Sequence, residues 1–528
     1  MNSFLKIILR FLPLALLAFF FELVSSEFTS HLFNNFFENI LFAVTLICPI
    51  YLLKCSLKPL YLITVYGIYT LCIYFETVFY YLFKVSFSSS AIFATLDTNL
   101  DESGEFIGFY VDSSILFFTV LVLIVSLISI LNKVDFQNRN ISKSVKIKTS
   151  ILFIVILVFL KLSDFIIYNV PYLVLKSTTE YYVDSKKLNK YANNKNDNFN
   201  DAIRENHFEK EVYVIILGES TSRAHFGLYD YYRNTTPKLD SIKQELLIYD
   251  NVISPHAYSI GALTKILTLA NYENPEKISD GSIIQLLNQV GFETYWLSNQ
   301  RPLGPFESMI TKIAMSSDKK KFVSTEIAKY SKVLDGELLD EFNKVISNNV
   351  KKKVVFIHLM GTHYNYEYRY PSEYNVFNNT PKTKFLTKES AIKINQYDNA
   401  ILYNDFIITK IITKLNDLNL SSFALYFSDH GEEMYDDINH AGHNEDIYSK
   451  KMFEVPFLLW RSNKYKNSKS FSFESNRPYM TDDLFHSIAD LAGIKAKLVD
   501  STRSIFSDNF KPRKRVIKET LDFDTNFD

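Results

Sequence analysis

An acid and an imidazole stand side by side where an apolar run stops. Phe423 to Phe427 gives way to Ser428-Asp429-His430-Gly431-Glu432. A carboxylate beside a histidine offers a hard and a borderline ligand at one point, which suits Zn²⁺. Taken alone, these residues fit equally a strand end and a turn, with Asp429 capping a helix. Matching groups elsewhere raise the metal reading. Glu219 follows the apolar run Val212–Leu217, and His358 and His363 follow a run that begins at Lys353. His440 and His443 come soon after Asp429. Five of the ten histidines thus fall at such run ends. Glu219, Asp429 and His430 supply three protein ligands and leave a fourth position open, as catalytic zinc requires.

The fourth ligand should be a nucleophile. In Ser254-Pro255-His256-Ala257-Tyr258-Ser259-Ile260-Gly261-Ala262-Leu263-Thr264, Pro255 breaks an extended run, and Ser259 falls near the start of an apolar helix. Backbone amides and the helix dipole favour an anionic oxygen there. Ser259 could equally cap that helix, and Ser254 and Thr264 are competing hydroxyls.

Elements of two kinds must position these groups. Val212–Leu217, Phe292–Leu297, Lys353–His358, Phe423–Phe427 and Val455–Trp460 read as strands; Ser282–Gln289, Asp335–Ser347 and Glu389–Leu415 read as helices. Their alternation predicts an α/β domain with a mostly parallel central sheet. Sites in such sheets lie beyond the carboxyl ends of the strands.

Earlier in the chain five apolar stretches approach the roughly 20 residues needed to cross a bilayer: Phe4–Val24, Phe36–Leu53, Leu60–Phe83, Ser114–Leu131 and Ser150–Tyr168. The first lacks a convincing signal-peptide cleavage site, and further spans follow it. Lys6, Arg10, Lys54, Lys58, Lys133, Arg139, Lys143, Lys146 and Lys148 mark one side. The loop over 84–113 carries Asp97, Asp101, Glu102 and Glu105 instead. The basic side is cytoplasmic, so everything after Tyr168 is expected outside. The expected organisation is a five-span domain over 1–168, a bridge over 169–210, and a catalytic domain over 211–528. Within the loop, Thr98 and Glu102 are expected to share a helix face, on a segment that meets a lipid headgroup or is simply solvated. A net charge of −1 gives no pull toward nucleic acid. All three cysteines, Cys48, Cys55 and Cys72, lie in or beside spans, so the outer domain folds without covalent staples.

Together these residues resemble the membrane-bound phosphoethanolamine transferases of lipopolysaccharide, in the alkaline phosphatase/sulfatase superfamily. The motifs are Gly218-Glu219-Ser220, Asn251-Val252-Ile253-Ser254, His358-Leu359-Met360-Gly361-Thr362-His363, Tyr368-Arg369-Tyr370-Pro371, Ser428-Asp429-His430-Gly431-Glu432 and Gly442-His443-Asn444-Glu445. Trp296-Leu297-Ser298-Asn299-Gln300 and Tyr397-Asp398-Asn399 resemble the branch acting on core heptose.

The resemblance implies a multi-pass inner-membrane protein with its catalytic domain in the periplasm, a monomer binding no nucleic acid. The donor would be phosphatidylethanolamine and the acceptor lipopolysaccharide, at the core or lipid A. It implies zinc, one ion or two, on Glu219, Asp429, His430 and Ser259. Ser259, where threonine is usual, would carry the phosphoethanolamine. His363 and His443 would be catalytic, with His440 able to stand in for His443. His358, Asn299, Thr98 and Glu102 would bind substrate. A phosphoglycerol transferase using phosphatidylglycerol and a non-catalytic lipid-sensing relative share the fold. A formylglycine sulfatase is disfavoured by Gly261 and Leu263 after Ser259 and by the cysteine-free outer domain.

Overall fold

The computed structural model describes residues 3–527 apart from 26–29, 85–86, 88–90, 93–94, 97, 99, 133–141, 164, 195–198, 206–207, 301–308 and 325–332. The chain divides into two compact units. One is Met1–Phe93 with Tyr110–Glu180; the other is Ala94–Phe109 with Tyr181–Asp528. The second unit therefore draws on two separate stretches of sequence.

The first unit is helical. Its main helices are α1 (Ser3–Ser25), α2 (Ser30–Ile47), α3 (Lys58–Phe83), α4 (Ser113–Leu131) and α5 (Lys143–Leu162). Four helices among the described residues are long and apolar enough to cross a membrane: Lys6–Ser25, Leu32–Tyr51, Cys55–Phe83 and Ser113–Leu131. The fifth expected stretch is α5, whose first turns carry Lys143, Lys146 and Lys148. Large apolar side chains such as Leu116, Phe117, Leu123 and Leu127 point outward, the reverse of a water-facing surface and natural against lipid. Polar groups inside are paired. Thr77 Oγ1 donates to Glu22 Oε1 (3.0 Å) and Asn169 Nδ2 to Glu38 Oε1 (2.8 Å), the kind of bond that fixes apolar helices against one another.

The second unit is built on a seven-stranded sheet. Its strands are β1 (Glu211–Gly218), β2 (Leu246–Ile248), β3 (Glu293–Ser298), β4 (Lys319–Phe322), β5 (Lys352–His358), β6 (Ser421–Ser428) and β7 (Phe457–Arg461), in the spatial order β2-β7-β6-β1-β5-β3-β4. Every residue of β1 and β6 is buried, as near-continuous apolar strands require. The sheet is mixed: four of its six pairings are parallel and two are antiparallel. β6, β1, β5, β3 and β4 run parallel, whereas β7 is antiparallel to both β6 and β2. The physical reason is the connection. A parallel return needs a crossover, usually helical. Between Ser428 and Phe457 there are only two short paired strands and a 3₁₀ turn at Lys450–Met452, so the chain comes back alongside. Four of the five inner strands, β6, β1, β5 and β3, end flush: Gly218 is opposite Ser428, and His358 is opposite both Leu217 and Ser298. One rim therefore receives Glu219, Asp429, Asn299 and the segment after His358.

Beside the sheet lies the long helix Lys388–Asp417, started by a Thr387/Ser390 capping box. It carries Asp398, which accepts from His225 Nδ1 (2.7 Å) and from Arg233 Nη1 (2.7 Å); His225 Nε2 reaches Asp436 Oδ2 at 3.1 Å. Burial pushes the His225 imidazole down, but Asp436 and Asp398 outweigh it and raise it to about 10. A group raised above its ordinary value near 6.5 stabilises the fold fully below that value, and the contribution is lost as pH rises through about 10. His225→Gln is expected to lower the melting temperature at pH 6, for a loss on the order of a few kcal/mol. The gap to wild type should narrow toward pH 10. Equal melting temperatures at pH 6 would show that the cluster contributes nothing.

Candidate metal centre

Glu219 and Asp429 are placed by two strands that end level with each other. Asp429 N donates to Gly218 O (3.1 Å). Ser220, in the left-handed region at φ +55°, turns its amide onto Asp429 Oδ1 (3.1 Å) and its hydroxyl onto Glu219 Oε1 (2.7 Å). Non-glycine residues adopt that backbone at a cost, which is commonly met at functional sites. Asp429 Oδ1 also accepts from His430 N (2.7 Å). Its other oxygen, Oδ2, is buried and has no hydrogen-bond partner. A buried carboxylate oxygen left bare is costly unless a proton or cation meets it.

His430 is oriented from behind. Its Nδ1 donates to the Gly431 carbonyl (2.8 Å), which directs Nε2 into the cluster, the second-sphere arrangement usual for a metal-binding imidazole. Nε2 lies 3.4 Å from Glu219 Oε1, 3.5 Å from Asp429 Oδ2 and 3.4 Å from Ser259 Oγ. Gly431 is obligatory: a Cβ there would sit 2.1 Å from the Lys451 carbonyl oxygen.

Ser259 is the first residue of the helix Ser259–Leu267, and Tyr258 occupies the capping position. Its hydroxyl is thus free of capping and faces Glu219, 3.1 Å from Oε1 and 3.0 Å from Oε2. The rival hydroxyls are engaged with backbone, Ser254 Oγ on His256 O (2.8 Å) and Thr264 Oγ1 on Ile260 O (2.7 Å). Two carboxylates, an imidazole and a hydroxyl converge on one buried point, a donor set that fits zinc.

The electrostatics agree with a cation site. Burial acts to raise the Glu219 carboxyl, but the hydrogen bond and charge of His430 hold it well below the usual range. Burial and then the charge of Glu219 push Asp429 up to about 7. Burial lowers the His430 imidazole, yet Asp429 and Glu219 carry it to about 10. The cluster has an excess of negative charge that a proton or a metal ion must balance.

Two further histidines flank it. The His443 ring lies 4.1 Å from that of His430 between centroids, and its Nδ1 donates to Glu432 Oε2 (2.7 Å). His430, Glu432 and His443 form a second group able to hold a metal. His440 is not part of either group, so His443 is the histidine at the cluster. His363 follows Thr362, whose amide and hydroxyl both donate to the Glu219 carbonyl (3.0 Å each). Burial lowers the His363 imidazole to about 3, against the pull of Glu219, which leaves it a neutral acceptor at pH 7.

A family model described as Sulfatase matches residues 211–494. Phosphoethanolamine transferase EptC of Escherichia coli strain K12 is 29% identical over 532 residues, spanning 93% of this chain and 91% of that protein. The crystal structure of the C-terminal periplasmic domain of EptC from Escherichia coli in complex with Zn is 33% identical, with a TM-score of 0.60, and covers 62% of this chain and 96% of that one. The chain belongs to the phosphoethanolamine transferases of the sulfatase family. The integral membrane protein lipooligosaccharide phosphoethanolamine transferase A (EptA) from Neisseria meningitidis shares the fold over almost the whole length, with a TM-score of 0.72, 21% identity, and coverage of 93% of this chain and 97% of that one.

In this transferase the residues expected on the substrate side are more scattered than the metal set. His358 is buried at the end of β5, pairs with Ser298 Oγ (3.3 Å), and is lowered to about 4 by burial; its Nε2 has no hydrogen-bond partner. Asn299 is also buried and donates to Asp335 Oδ1 (2.9 Å) and Val333 O (3.0 Å). Asp335 in turn accepts from the amides of Met360 and Gly361, so Asn299 clamps the loop that leads to His363. Thr98 and Glu102 do not share a helix face. The helix starts at Leu100, and Thr98 precedes it, as a β-branched residue with a competing hydroxyl tends to do. The Glu102 side chain lies outside the described residues.

Three contributors carried no assigned role on sequence grounds. Gln300 Nε2 donates to Glu219 Oε2 (3.0 Å) and Leu359 O (3.1 Å). Glu432 receives Tyr366 OH on Oε1 (2.6 Å) while holding His443 on Oε2. Arg369 reaches the carbonyl of His363. Gln300, Glu432 and Arg369 all stood inside the quoted motifs, which was the available signal.

Proposed function

We propose that the chain transfers phosphoethanolamine from phosphatidylethanolamine to lipopolysaccharide, at the core or lipid A, through a phosphoethanolamine ester on Ser259. The observation that carries this reading is the Ser259 hydroxyl, poised at 3.0–3.1 Å from Glu219 inside a buried carboxylate–imidazole set. Relatives named as phosphoethanolamine transferases support the transferred group. One named Kdo(2)-lipid A phosphoethanolamine 7''-transferase, 28% identical over 270 residues, supports the class of acceptor.

Glu219, Asp429, His430 and Ser259 would hold the zinc, which supplies Lewis acidity to the serine oxygen and the phosphoryl group. The chain's own residues do the rest. The Glu219 carboxylate accepts the Ser259 proton along the existing hydrogen bond. Ser259 Oγ forms a bond to phosphorus as the bond to the diacylglycerol oxygen breaks, and diacylglycerol takes a proton from His443, while His363, neutral at pH 7, is limited to accepting hydrogen bonds or protons. The acceptor oxygen then attacks the same phosphorus and gives its proton to His443, and the departing Ser259 Oγ takes back its own proton from Glu219 along the same hydrogen bond. His443 is held for this by Glu432. A second ion at His430, Glu432 and His443 is compatible with the same residues.

The organisation proposed with this function is five spans over 1–168, a bridge over 169–210 and a catalytic domain over 211–528. The protein sits in the inner membrane as a monomer with its catalytic domain in the periplasm. The spans keep the site beside a donor that stays in the bilayer. Mass spectrometry of lipopolysaccharide from cells with and without the gene tests the reading. The expected result is the mass of one phosphoethanolamine, present only with the gene. Identical spectra would overturn it, and a phosphoglycerol increment would reassign the donor.

A further inference from the structure

Arg369, of the Tyr368-Arg369-Tyr370-Pro371 motif, is buried. Its Nε donates to the His363 carbonyl (3.2 Å) and its Nη2 to the Tyr364 carbonyl (3.0 Å). The same Nη2 is paired with the carboxylate of Glu105. Glu105 lies on the helix Leu100–Tyr110, which in sequence falls between α3 and α4. Three more contacts fix this helix to the segment 363–366. Asn365 Nδ2 donates to the Glu105 carbonyl (2.9 Å). Phe106 lies edge-on to Tyr364 at 6.3 Å between centroids, and Phe109 edge-on to Tyr366 at 5.7 Å. Lys393 Nζ stands 4.0 Å over the other contact surface, the ring of Phe109.

The segment gripped in this way carries His363 and, through Tyr366, reaches His443. His363 is held through its own carbonyl, and its ring lies 4.0 Å from that of Tyr364 between centroids. His443 is held at one remove, by the bond from Tyr366 OH to Glu432 and from His443 to Glu432.

We propose that Glu105 and Arg369 form a positioning pair that sets His363, and through Tyr366 and Glu432 also His443, against the Ser259 cluster, so that the helix of residues 100–109 is a working part of the transfer site. The proposal rests on the transferase reading. It differs from a donor-contact role for this helix in what it predicts. Donor contacts act on binding, whereas misplaced proton-transfer groups slow the chemical step, by ~10–100-fold for a displacement near 1 Å.

The test uses the full-length chain in detergent, turning over an aryl ester of phosphoethanolamine whose released phenolate is followed by absorbance. Glu105→Ala and Arg369→Lys are each expected to lower kcat at least ~10-fold, with KM unchanged. The double variant should be no worse than either alone, because the two residues act as one unit. Unchanged kcat, a rise in KM alone, or losses that multiply would each overturn the pairing. If Glu105→Ala does not fold, Tyr366→Phe removes only the hydroxyl on Glu432. It should lower kcat without changing KM, and full activity in that variant overturns the relay to His443. A wild-type chain that releases no phenolate would instead sink the transferase reading itself.

Discussion

Ser259→Ala is expected to leave the protein unable to take up labelled phosphoethanolamine from phosphatidylethanolamine. The wild-type chain, quenched in acid during turnover, should carry the label on the peptide containing Ser259; the variant should carry none. Turnover should fall by ~10³-fold or more, the scale seen when a covalent nucleophile is removed. The geometry makes the assignment specific. Ser259 Oγ lies 3.0 Å from Glu219 Oε2 and 3.4 Å from His430 Nε2, while Ser254 and Thr264 are bound to backbone carbonyls. The substitution removes one exchangeable hydroxyl at the start of a helix whose remaining residues are buried by apolar packing, so the fold should persist. Persistent label in the variant would place the nucleophile elsewhere and with it refute the role of the cluster.

Asp429→Asn should empty the metal centre. Asp429 Oδ1 is held by the amides of Ser220 and His430, so the amide oxygen of asparagine would take that place. The NH₂ group would then stand where the bare Oδ2 now faces the cluster. A donor aimed at a cation repels it, and one negative charge is lost. Zinc per chain, measured by plasma emission after dialysis, should drop from that of the wild type to near zero. Activity should fall at least ~100-fold, since disturbing even the supporting groups of metal sites reaches that scale. Chelation of the wild type should mimic the variant, and added zinc should restore only the wild type. A variant that retains its zinc would show that Asp429 is not a ligand.

The grouping of Glu219, Asp429 and His430 was legible in the sequence for a definite reason. Fully buried parallel strands announce themselves as apolar runs, and the first polar residues after them must emerge at a common rim. Val212–Leu217 and Phe423–Phe427 did this, and Glu219, Asp429 and His430 came together as that logic requires. The choice of Ser259 over Ser254 and Thr264 needed the helix start to be fixed in three dimensions. Two strands of the seven-stranded sheet escaped notice. Leu246–Ile248 is only three residues long, and Lys319–Phe322 carries three lysines at an exposed edge, where charge guards against further pairing. The direction of β7 depended on the absence of a crossover helix, which strand-like composition does not report. Thr98 and Glu102 were paired by spacing alone, and the helix start at Leu100 removed the basis for it. The grip of Glu105 on Arg369 spans residues so distant in sequence that no local pattern could reveal it.

That separation is 264 residues, and it has a consequence for the birth of the molecule. A polypeptide is made from its amino end at ~5–20 residues per second. The helix that bears Glu105 is therefore finished tens of seconds before Arg369 exists to meet it. So large a loop is among the slowest contacts for a chain to close. Tyr364, Tyr366 and Arg369 also precede β6, which brings Asp429 and His430. The working arrangement of the two histidines thus waits on the youngest part of the protein. The site can therefore assemble only after Glu105, Arg369, Asp429, His430 and His443 have all been made.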